Sequence, residues 1–287
     1  MSTSLGSKLL AVRRAGSAAV MGVLNVTPDS FSDGGDYLEP SAARARVDAL
    51  LNDGADIVDI GGESSRPGAA SIPAREQIER VEPALRYAVE RGALVSIDTT
   101  LPEVAEHCLS AGATLINDVS CLAEADLAAV VARGGGDLLI MHARGPMSRM
   151  PGFSEWPDDA YGDVVVEVAR EWAAARDRAV ARGLPRERIF FDPGLGFAKN
   201  ARHSFEVLRR LREFRSLEAP IFVGPGRKSF IASVDPAPPS ERLGGTIAAC
   251  VISAQKGAHA LRVHDVREVR QALAVLGASE DNEVGHA

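Results

Sequence analysis

The sequence predicts an α/β protein in which eight parallel strands, each followed by a helix, close into a single (β/α)₈ TIM barrel. Short apolar runs recur eight times along the 287 residues, and each run ends abruptly in polar, chemically capable side chains. Amphipathic segments with the period of a helix separate the runs. Active sites of such barrels lie at the carboxyl ends of the strands, so we expect the unusual polar residues to share one rim.

The predicted strands are nearly continuous apolar runs, as parallel strands covered on both faces require. Ile57-Val58-Asp59-Ile60 and Ile221-Phe222-Val223 are typical. The runs cover residues 18–25, 56–61, 94–98, 115–119, 137–142, 188–192, 220–224 and 259–263. We therefore expect one barrel domain over residues 16–278, between an N-terminal tail at 1–15 and a C-terminal tail at 279–287.

The segments between the runs change to helical periodicity. For example, Ile78, Val81, Leu85 and Val89 recur every three or four residues, which places them on one face of a helix. Five segments end in a glycine that can adopt the left-handed conformation of a helix terminus: Gly54, Gly92, Gly112, Gly183 and Gly257. This repetition indicates one supersecondary unit used again and again.

Two connections are longer than a barrel needs, at residues 25–40 and 61–75, and both combine charged groups with glycines. We expect them to act as lids over the catalytic rim.

The composition excludes several classes of function. The net charge of −7 argues against non-specific binding of nucleic acid or of an anionic membrane surface. The three cysteines are scattered through apolar segments, which favours buried small side chains over disulfides or a zinc site. Because neither a signal peptide nor an apolar run of roughly 20 residues is recognisable, we expect a reduced, cytoplasmic protein.

Three polar side chains follow or end predicted strands 3, 4 and 6. Asp98, Asn117 and Asp192 lie there in the sequence. Each alone could be a helix N-cap, but together they favour a pocket that grips a nitrogen heterocycle, because carboxylates accept N–H donors and an amide both donates and accepts.

A second set of residues suits an anion. Arg66, Arg262 and His264 fall at strand ends, and residues two apart in a strand share a face. Arginine matches phosphate oxygens bidentately, and phosphate sites in these barrels often lie near strands 7 and 8. Arg227 and Lys228 are adjacent, so we expect only one of them to enter the site, whereas His142 is interpreted as a packed, hydrogen-bonded histidine. A Mg²⁺ ion shared between substrate phosphates and an oxygen such as that of Asn25 suits the ion's preferences.

The strand-end motifs resemble those of the dihydropteroate synthase family over residues 19–276, in the family's order. They are residues 25–35 (NVTPDSFSDGG), 61–68 (GGESSRPG), 96–99 (SIDT), 116–118 (IND), 141–142 (MH), 192–197 (DPGLGF), 227–229 (RKS) and 262–265 (RVHD). The resemblance implies a (β/α)₈ barrel that condenses 6-hydroxymethyl-7,8-dihydropterin diphosphate with 4-aminobenzoate. It also implies Mg²⁺ as cofactor, a homodimer, and sulfonamides as mimics of 4-aminobenzoate.

The resemblance also implies a role for each matching residue. The pterin would be bound by Asp98, Asn117, Met141, Asp192, Phe197 and Lys228. The diphosphate would be bound by Asn25, which also contacts Mg²⁺, and by Ser65, Arg66, Arg262 and His264. The 4-aminobenzoate would lie near Ser65, Pro67, Phe197 and Gly226. The catalytic residues would be Arg66, Lys228, Arg262 and His264.

The chain departs from the family pattern at four places. Gly226 stands where a serine near 4-aminobenzoate is usual, Ser65 replaces the commoner threonine, and Ala198 replaces the commoner glycine after Phe197. Thr100 and Leu101 stand where an aromatic residue followed by a basic one is frequent. Two alternatives remain: a pterin-binding methyltransferase, which has no diphosphate to hold, and a non-catalytic pterin-binding paralogue. The three cationic residues Arg66, Arg262 and His264 favour the synthase.

Overall fold

Eight parallel strands surround the interior in the computed structural model, which describes residues 5–6, 9, 18–27, 40–64, 71–145, 152 and 154–281. The strands are β1 (Ala19–Asn25), β2 (Ile57–Gly61), β3 (Leu94–Asp98), β4 (Leu115–Asp118), β5 (Asp137–Met141), β6 (Ile189–Asp192), β7 (Phe222–Val223) and β8 (Ala260–Val263). They pair in the order β6-β5-β4-β3-β2-β1-β8-β7, and a bridge between Phe191 and Ile221 joins the two ends. The predicted barrel is confirmed, and its strand limits differ from the predicted ones by no more than about two residues.

Helices connect the strands and cover the outside of the barrel. They are α1 (Pro40–Asn52), α2 (Ala74–Glu90), α3 (Pro102–Ser110), α4 (Asp126–Gly134), α5 (Val164–Ala181), α6 (Ala201–Arg209), α7 (Ser229–Ala232), α8 (Leu243–Gln255) and α9 (Val266–Asp281). The last helix continues past residue 278, where the sequence predicted the start of a tail. None of the helices in the described ranges combines the length and the apolar character needed to span a membrane.

The five predicted terminating glycines all have a positive φ. Their values lie between 75° at Gly92 and 106° at Gly112 and Gly257. This region disfavours residues with a Cβ, and each glycine lies two residues after the last residue of its helix. The prediction that these five glycines end their helices is therefore confirmed.

The amino-terminal end of the barrel is filled by an apolar cluster. Strand-start residues such as Met21, Phe190 and Phe222 pack there, and the last two rings stack with centroids 5.6 Å apart. Leu5 and Leu9 belong to the same cluster and are 5% and 2% exposed. The prediction of a tail over residues 1–15 is wrong at these two residues, because their side chains pack into the apolar cluster at this end of the barrel.

The strand register brings the polar strand ends to the opposite end. Gly61 pairs with Asn25 on one side and with Asp98 on the other, and Asp98 pairs with Asn117. Met141 pairs with Asp192 farther round the barrel. The carboxyl-terminal end is thus a polar mouth above an apolar floor.

Candidate active site

A group of buried and half-buried polar side chains occupies the barrel mouth, and we call it the mouth cluster. Its members come from six strands or the loops that follow them: Asp59, Asp98, Asn117, Asp192, Lys228 and Arg262. Asp98, Asn117 and Asp192 are all less than a tenth exposed. Parallel pairing places them there because each lies at or next to the last residue of its strand. The structure thus brings together the predicted ring-binding residues.

Arg262 joins the acidic side chains of the mouth cluster. Its Nη2 donates to Asp98 Oδ2 at 2.8 Å, and its Nε donates to Asp59 Oδ2 at 2.7 Å. The sequence assigned Arg262 to the anion, yet it also contacts a residue assigned to the pterin. The guanidinium therefore links the two predicted binding regions.

Burial dominates the electrostatics of the mouth. It raises the pKa of Asp98 to about 7, with Asp59 and Asp118 adding to the shift and Arg262 opposing it. Burial also raises the pKa of Asp192 to about 6. It lowers the pKa of Lys228 to about 7, and the charge of Arg262 acts in the same direction. Such shifts near neutrality are typical of sites that bind polar ligands or move protons.

Phe197 and Met141 form an apolar wall beside these charges. Both are 5% exposed and pack in one cluster with Val119 and Ala143. The Lys228 Nζ lies 3.9 Å from the centroid of the Phe197 ring, within the range of a cation–π contact. This combination of a flat apolar surface and a cation suits an aromatic ligand.

The loop that carries Phe197 depends on one glycine. A Cβ at Gly194 would lie 2.2 Å from the carbonyl oxygen of His142, and the φ of Gly194 is 67°. Its N–H donates to Asp192 Oδ1 at 2.7 Å. Only glycine allows this close approach, which turns the chain from Asp192 toward Phe197.

Arg227 and Lys228 separate as the sequence predicted. Arg227 pairs with Asp265, with its Nε 3.0 Å from Oδ2, and its backbone N–H donates to Thr246. Lys228 turns instead toward Phe197, and the carboxylates of Asp192 and Asp98 act on its charge.

Gly226, Asn25 and His264 border the mouth. A Cβ at Gly226 would be 3.6 Å from the carbonyl oxygen of Arg262 and 4.0 Å from the backbone nitrogen of His264. The Oδ1 of Asn25 lies 3.5 Å from the Cβ position of Gly61, and the Cβ of Asp98 lies at the same distance from it. Asn25 therefore stands beside Asp98 across Gly61, and the end of β8 lies against Gly226.

Several predicted features lie outside the described residues. These are Ser65, Arg66 and Pro67, together with residues 28–39 and 65–70 of the two predicted lids at 25–40 and 61–75. Residues on either side of 65–70 are held together, because Glu63 accepts from Gln77 Nε2 at 2.6 Å and from the backbone N–H of Ile72. Buried Gln77 in turn accepts from the hydroxyl of Thr99 at 3.0 Å.

A second polar group, with a buried histidine and lysine at its centre, lies behind the Phe197 loop, and we call it the support cluster. It consists of His142, Arg144, Glu171 and Lys199. Lys199 Nζ is 2.8 Å from His142 Nδ1 and donates to the Phe197 carbonyl oxygen at 3.1 Å. His142 Nε2 lies 3.0 Å from Glu171. The interpretation of His142 as a packed, hydrogen-bonded residue is confirmed.

Sequence reasoning missed Asp59 and Lys199. Both are fully buried and charged, and each contacts a residue that was singled out. The available signal was a charged residue inside an otherwise apolar context, as in Ile57-Val58-Asp59-Ile60. Buried charges are rare unless paired, so an acidic residue within a predicted core strand indicates a partner on another strand.

Comparison with known proteins agrees with this geometry. The family model described as "Pterin binding enzyme" matches residues 21–264. The dihydropteroate synthase of Escherichia coli K12 is 41% identical over 261 residues, which cover 91% of each chain.

Two solved structures also match. A Yersinia pestis dihydropteroate synthase with a sulfonamide drug is 36% identical (TM-score 0.87), and the match covers 93% of this chain and 96% of that one. A Xanthomonas albilineans dihydropteroate synthase with 4-aminobenzoic acid is 38% identical (TM-score 0.83), with 93% and 94% covered. Near-complete coverage by sequence and by fold means that the chain belongs to the dihydropteroate synthase family of pterin-binding enzymes.

Proposed function

We propose that the chain is a transferase that condenses 6-hydroxymethyl-7,8-dihydropterin diphosphate with 4-aminobenzoate. The products are 7,8-dihydropteroate and diphosphate, in folate biosynthesis. The observation that carries the proposal is the contact of Arg262 with Asp98, because it places an anion-binding guanidinium against a ring-binding carboxylate at the barrel mouth. The substrate requires both functions side by side.

Asp98, Asn117, Asp192 and Lys228 bind the pterin ring. The pterin offers N–H donors, and the carboxylates and the Asn117 amide oxygen accept them. Burial raises the pKa values of Asp98 and Asp192, so ring N–H donors would stabilise their charged forms. Met141 and Phe197 supply the apolar surface for the flat ring.

Arg262 and His264, with Arg66 and Ser65, bind the diphosphate. Negative charge grows on this leaving group as its C–O bond to the pterin methylene breaks, and fixed cations stabilise that charge. The described residues hold no group of three or more His, Cys, Asp or Glu side chains able to bind a metal alone. This fits Mg²⁺, which would be held by the Asn25 oxygen and substrate phosphates and would neutralise the leaving group.

The arylamine completes the reaction. Its nitrogen lone pair forms the new bond to the pterin methylene, the diphosphate leaves with the electrons of the C–O bond, and the amine proton passes to solvent. Ser65, Pro67, Phe197 and Gly226 surround 4-aminobenzoate. No covalent enzyme intermediate is needed, and closure of the loops at 25–40 and 61–75 would exclude water from the electron-poor methylene.

The partners of the protein follow from the same proposal. They are the two small-molecule substrates and a second copy of the chain in a homodimer. Neither nucleic acid nor a membrane is a partner, and the protein acts in the cytoplasm. The net charge of −7 supports the exclusion of polyanionic partners.

The direct test measures both products from purified protein. Diphosphate release and dihydropteroate are followed with 6-hydroxymethyl-7,8-dihydropterin diphosphate and Mg²⁺, with and without 4-aminobenzoate. Equal amounts of the two products, dependent on 4-aminobenzoate, are the expected result. Pterin binding without turnover would contradict the proposal and favour a non-catalytic paralogue, and methyl transfer from a reduced folate would favour the methyltransferase.

A further inference from the structure

Asp59 is a fully buried carboxylate within strand β2. It pairs in register with Val23 on β1 and Ser96 on β3, below the mouth residues. Its Oδ2 accepts from Arg262 Nε at 2.7 Å and from Asn117 Nδ2 at 3.3 Å. Its Oδ1 is buried and has no hydrogen-bond partner among the described residues.

A carboxylate at this position requires an explanation. Burying a charge is costly unless it is paired, and an apolar side chain of similar size often stabilises a core as well or better. The neighbours Val58 and Ile60 show that the strand is otherwise built for packing. The two partners of Asp59 are both residues to which substrate binding is assigned, which points to a role in function.

We propose that Asp59 is a positioning residue, which holds the Arg262 guanidinium and sets the orientation of the Asn117 amide beneath the substrates. The inference rests on the proposed function of the barrel mouth. It adds to that function a residue that links the diphosphate side of the site to the pterin side.

Two carboxylates determine the orientation of the Arg262 guanidinium. Nε donates to Asp59 and Nη2 donates to Asp98, and these acceptors come from neighbouring strands. Because the guanidinium is planar, two such bonds define its plane. The remaining N–H donors of the fork are then directed away from both carboxylates, where a leaving group can accept them.

Asp59 also determines which way the Asn117 amide faces. An ionised carboxylate only accepts hydrogen bonds, so the amide nitrogen and not the oxygen must face Asp59. The amide oxygen and the second N–H of Asn117 remain for the ring. A heterocycle matches when its N–H donor faces the amide oxygen and its ring nitrogen acceptor faces the amide N–H. A ring in which the donor and the acceptor are exchanged does not match.

The experiment compares Asp59→Asn with the matched control Asp56→Asn. Asp56 precedes the same strand and also pairs with an arginine, Arg270, but at the opposite end of the barrel. Four quantities are measured: kcat, the affinity for bare 6-hydroxymethyl-7,8-dihydropterin, the affinity for inorganic diphosphate, and the Tm. Asp59→Ser is the second variant, which keeps the test available if the asparagine variant does not fold.

We expect Asp59→Asn to lower kcat and dihydropterin affinity by about tenfold or more, as the loss of residues that orient binding groups does elsewhere. The affinity for inorganic diphosphate should change less than the affinity for dihydropterin, because removal of a negative charge beside Arg262 offsets the weaker orientation of its guanidinium. Asp56→Asn should keep all three quantities near wild type while its Tm changes.

Two results would overturn the inference. One is kcat and dihydropterin affinity within about twofold of wild type in both Asp59 variants. The other is a parallel loss of diphosphate affinity, which indicates a damaged barrel. An inactive wild-type protein would instead overturn the proposed function, and the ratio of dihydropterin affinities between the Asp59 and Asp56 variants would then decide the role of Asp59.

Discussion

The mouth cluster and the support cluster both combine buried and half-buried charged side chains, yet they differ in how completely their hydrogen bonds are formed. In the support cluster, Lys199 and Glu171 occupy both ring nitrogens of His142. In the mouth cluster, Asp59 keeps one oxygen without a hydrogen-bond partner among the described residues. Complete pairing makes a cluster rigid, whereas incomplete pairing is costly unless a ligand supplies the partner. The difference agrees with the proposal that substrates bind at the mouth and that the support cluster holds the Phe197 loop in place.

Removing the guanidinium that joins Asp59 to Asp98 in the mouth cluster should have the largest effect. Arg262→Ala leaves Asp59 and Asp98 without their shared partner and removes a donor to the diphosphate. We expect kcat/KM to fall on the order of 10²–10³-fold, and bare dihydropterin to bind more weakly because Asp98 changes. Steady-state kinetics and calorimetry check this. Arg270→Ala, at the far end of the barrel, is the control and should retain turnover; near-normal turnover in Arg262→Ala would refute the assignment.

The two clusters should respond to pH with opposite signs. The pKa of Asp98 is raised from 3.8 to about 7, so the folded state holds this proton more tightly and stability falls as pH rises from about 4 to 7. The pKa of His142 is lowered from 6.5 to about 4 by burial and by Lys199, so stability falls as pH drops from about 6.5 to 4.

Urea unfolding at several pH values gives the free energy of unfolding of the wild type and of the variants Asp98→Asn and His142→Gln. The difference between the wild type and each variant should change by about 2–4 kcal/mol across the corresponding pH range. Two differences with the same sign would show that the clusters are not electrostatically distinct.

Weakening the support cluster should affect the second substrate more than the first. Lys199→Met keeps the length of the side chain but removes the donor to the Phe197 carbonyl. The loss of about one buried hydrogen bond should let the Phe197 loop shift and raise the KM for 4-aminobenzoate about tenfold, with kcat nearly constant. Lys256→Met, at the end of α8, serves as the control. An unchanged KM would mean that the loop keeps its position without Lys199.

A serine at position 226, as is usual in the family, should strengthen the binding of 4-aminobenzoate at the mouth. The Cβ position of Gly226 meets its neighbours at 3.6 Å or more, so a side chain fits. One added hydrogen bond should lower the KM for 4-aminobenzoate about threefold in Gly226→Ser. Gly226→Ala separates the hydroxyl from the added volume, and the same gain in both variants would exclude the hydroxyl as the cause.

The smallest effect should come from the backbone between the clusters. Ala198 has a φ of 48°, a conformation that costs an L-residue about 1 kcal/mol or more. In Ala198→Gly, relief of this strain should offset the lost methyl packing and the greater freedom of the unfolded chain, so the free energy of unfolding changes by less than about 0.5 kcal/mol. Ala143→Gly is the control, because Ala143 lies in the same apolar cluster but has no positive φ. Its free energy of unfolding should fall by about 1 kcal/mol. Equal losses in thermal or urea unfolding would show that Ala198 is unstrained.

Local patterns in the sequence were sufficient for the barrel. The strand limits, the glycine helix ends and the separation of Arg227 from Lys228 all agree with the structure. These features depend on periodicity and on backbone preferences within a few residues. The residue roles at the mouth remain predictions, which the experiments above address.

The sequence by itself determined which residues stand at the strand ends, because a buried parallel strand must be apolar until it reaches the rim. Only the tertiary structure decided which charged residues form ion pairs with one another. Arg262 and Asp59 are 203 positions apart, and their contact depends on barrel closure bringing β8 and β2 to the two sides of β1. The burial of Leu5 and Leu9 was decided in the same way. Hydrogen bonds and ion pairs act over a few ångströms, so pairing between distant segments becomes visible only once the chain has folded.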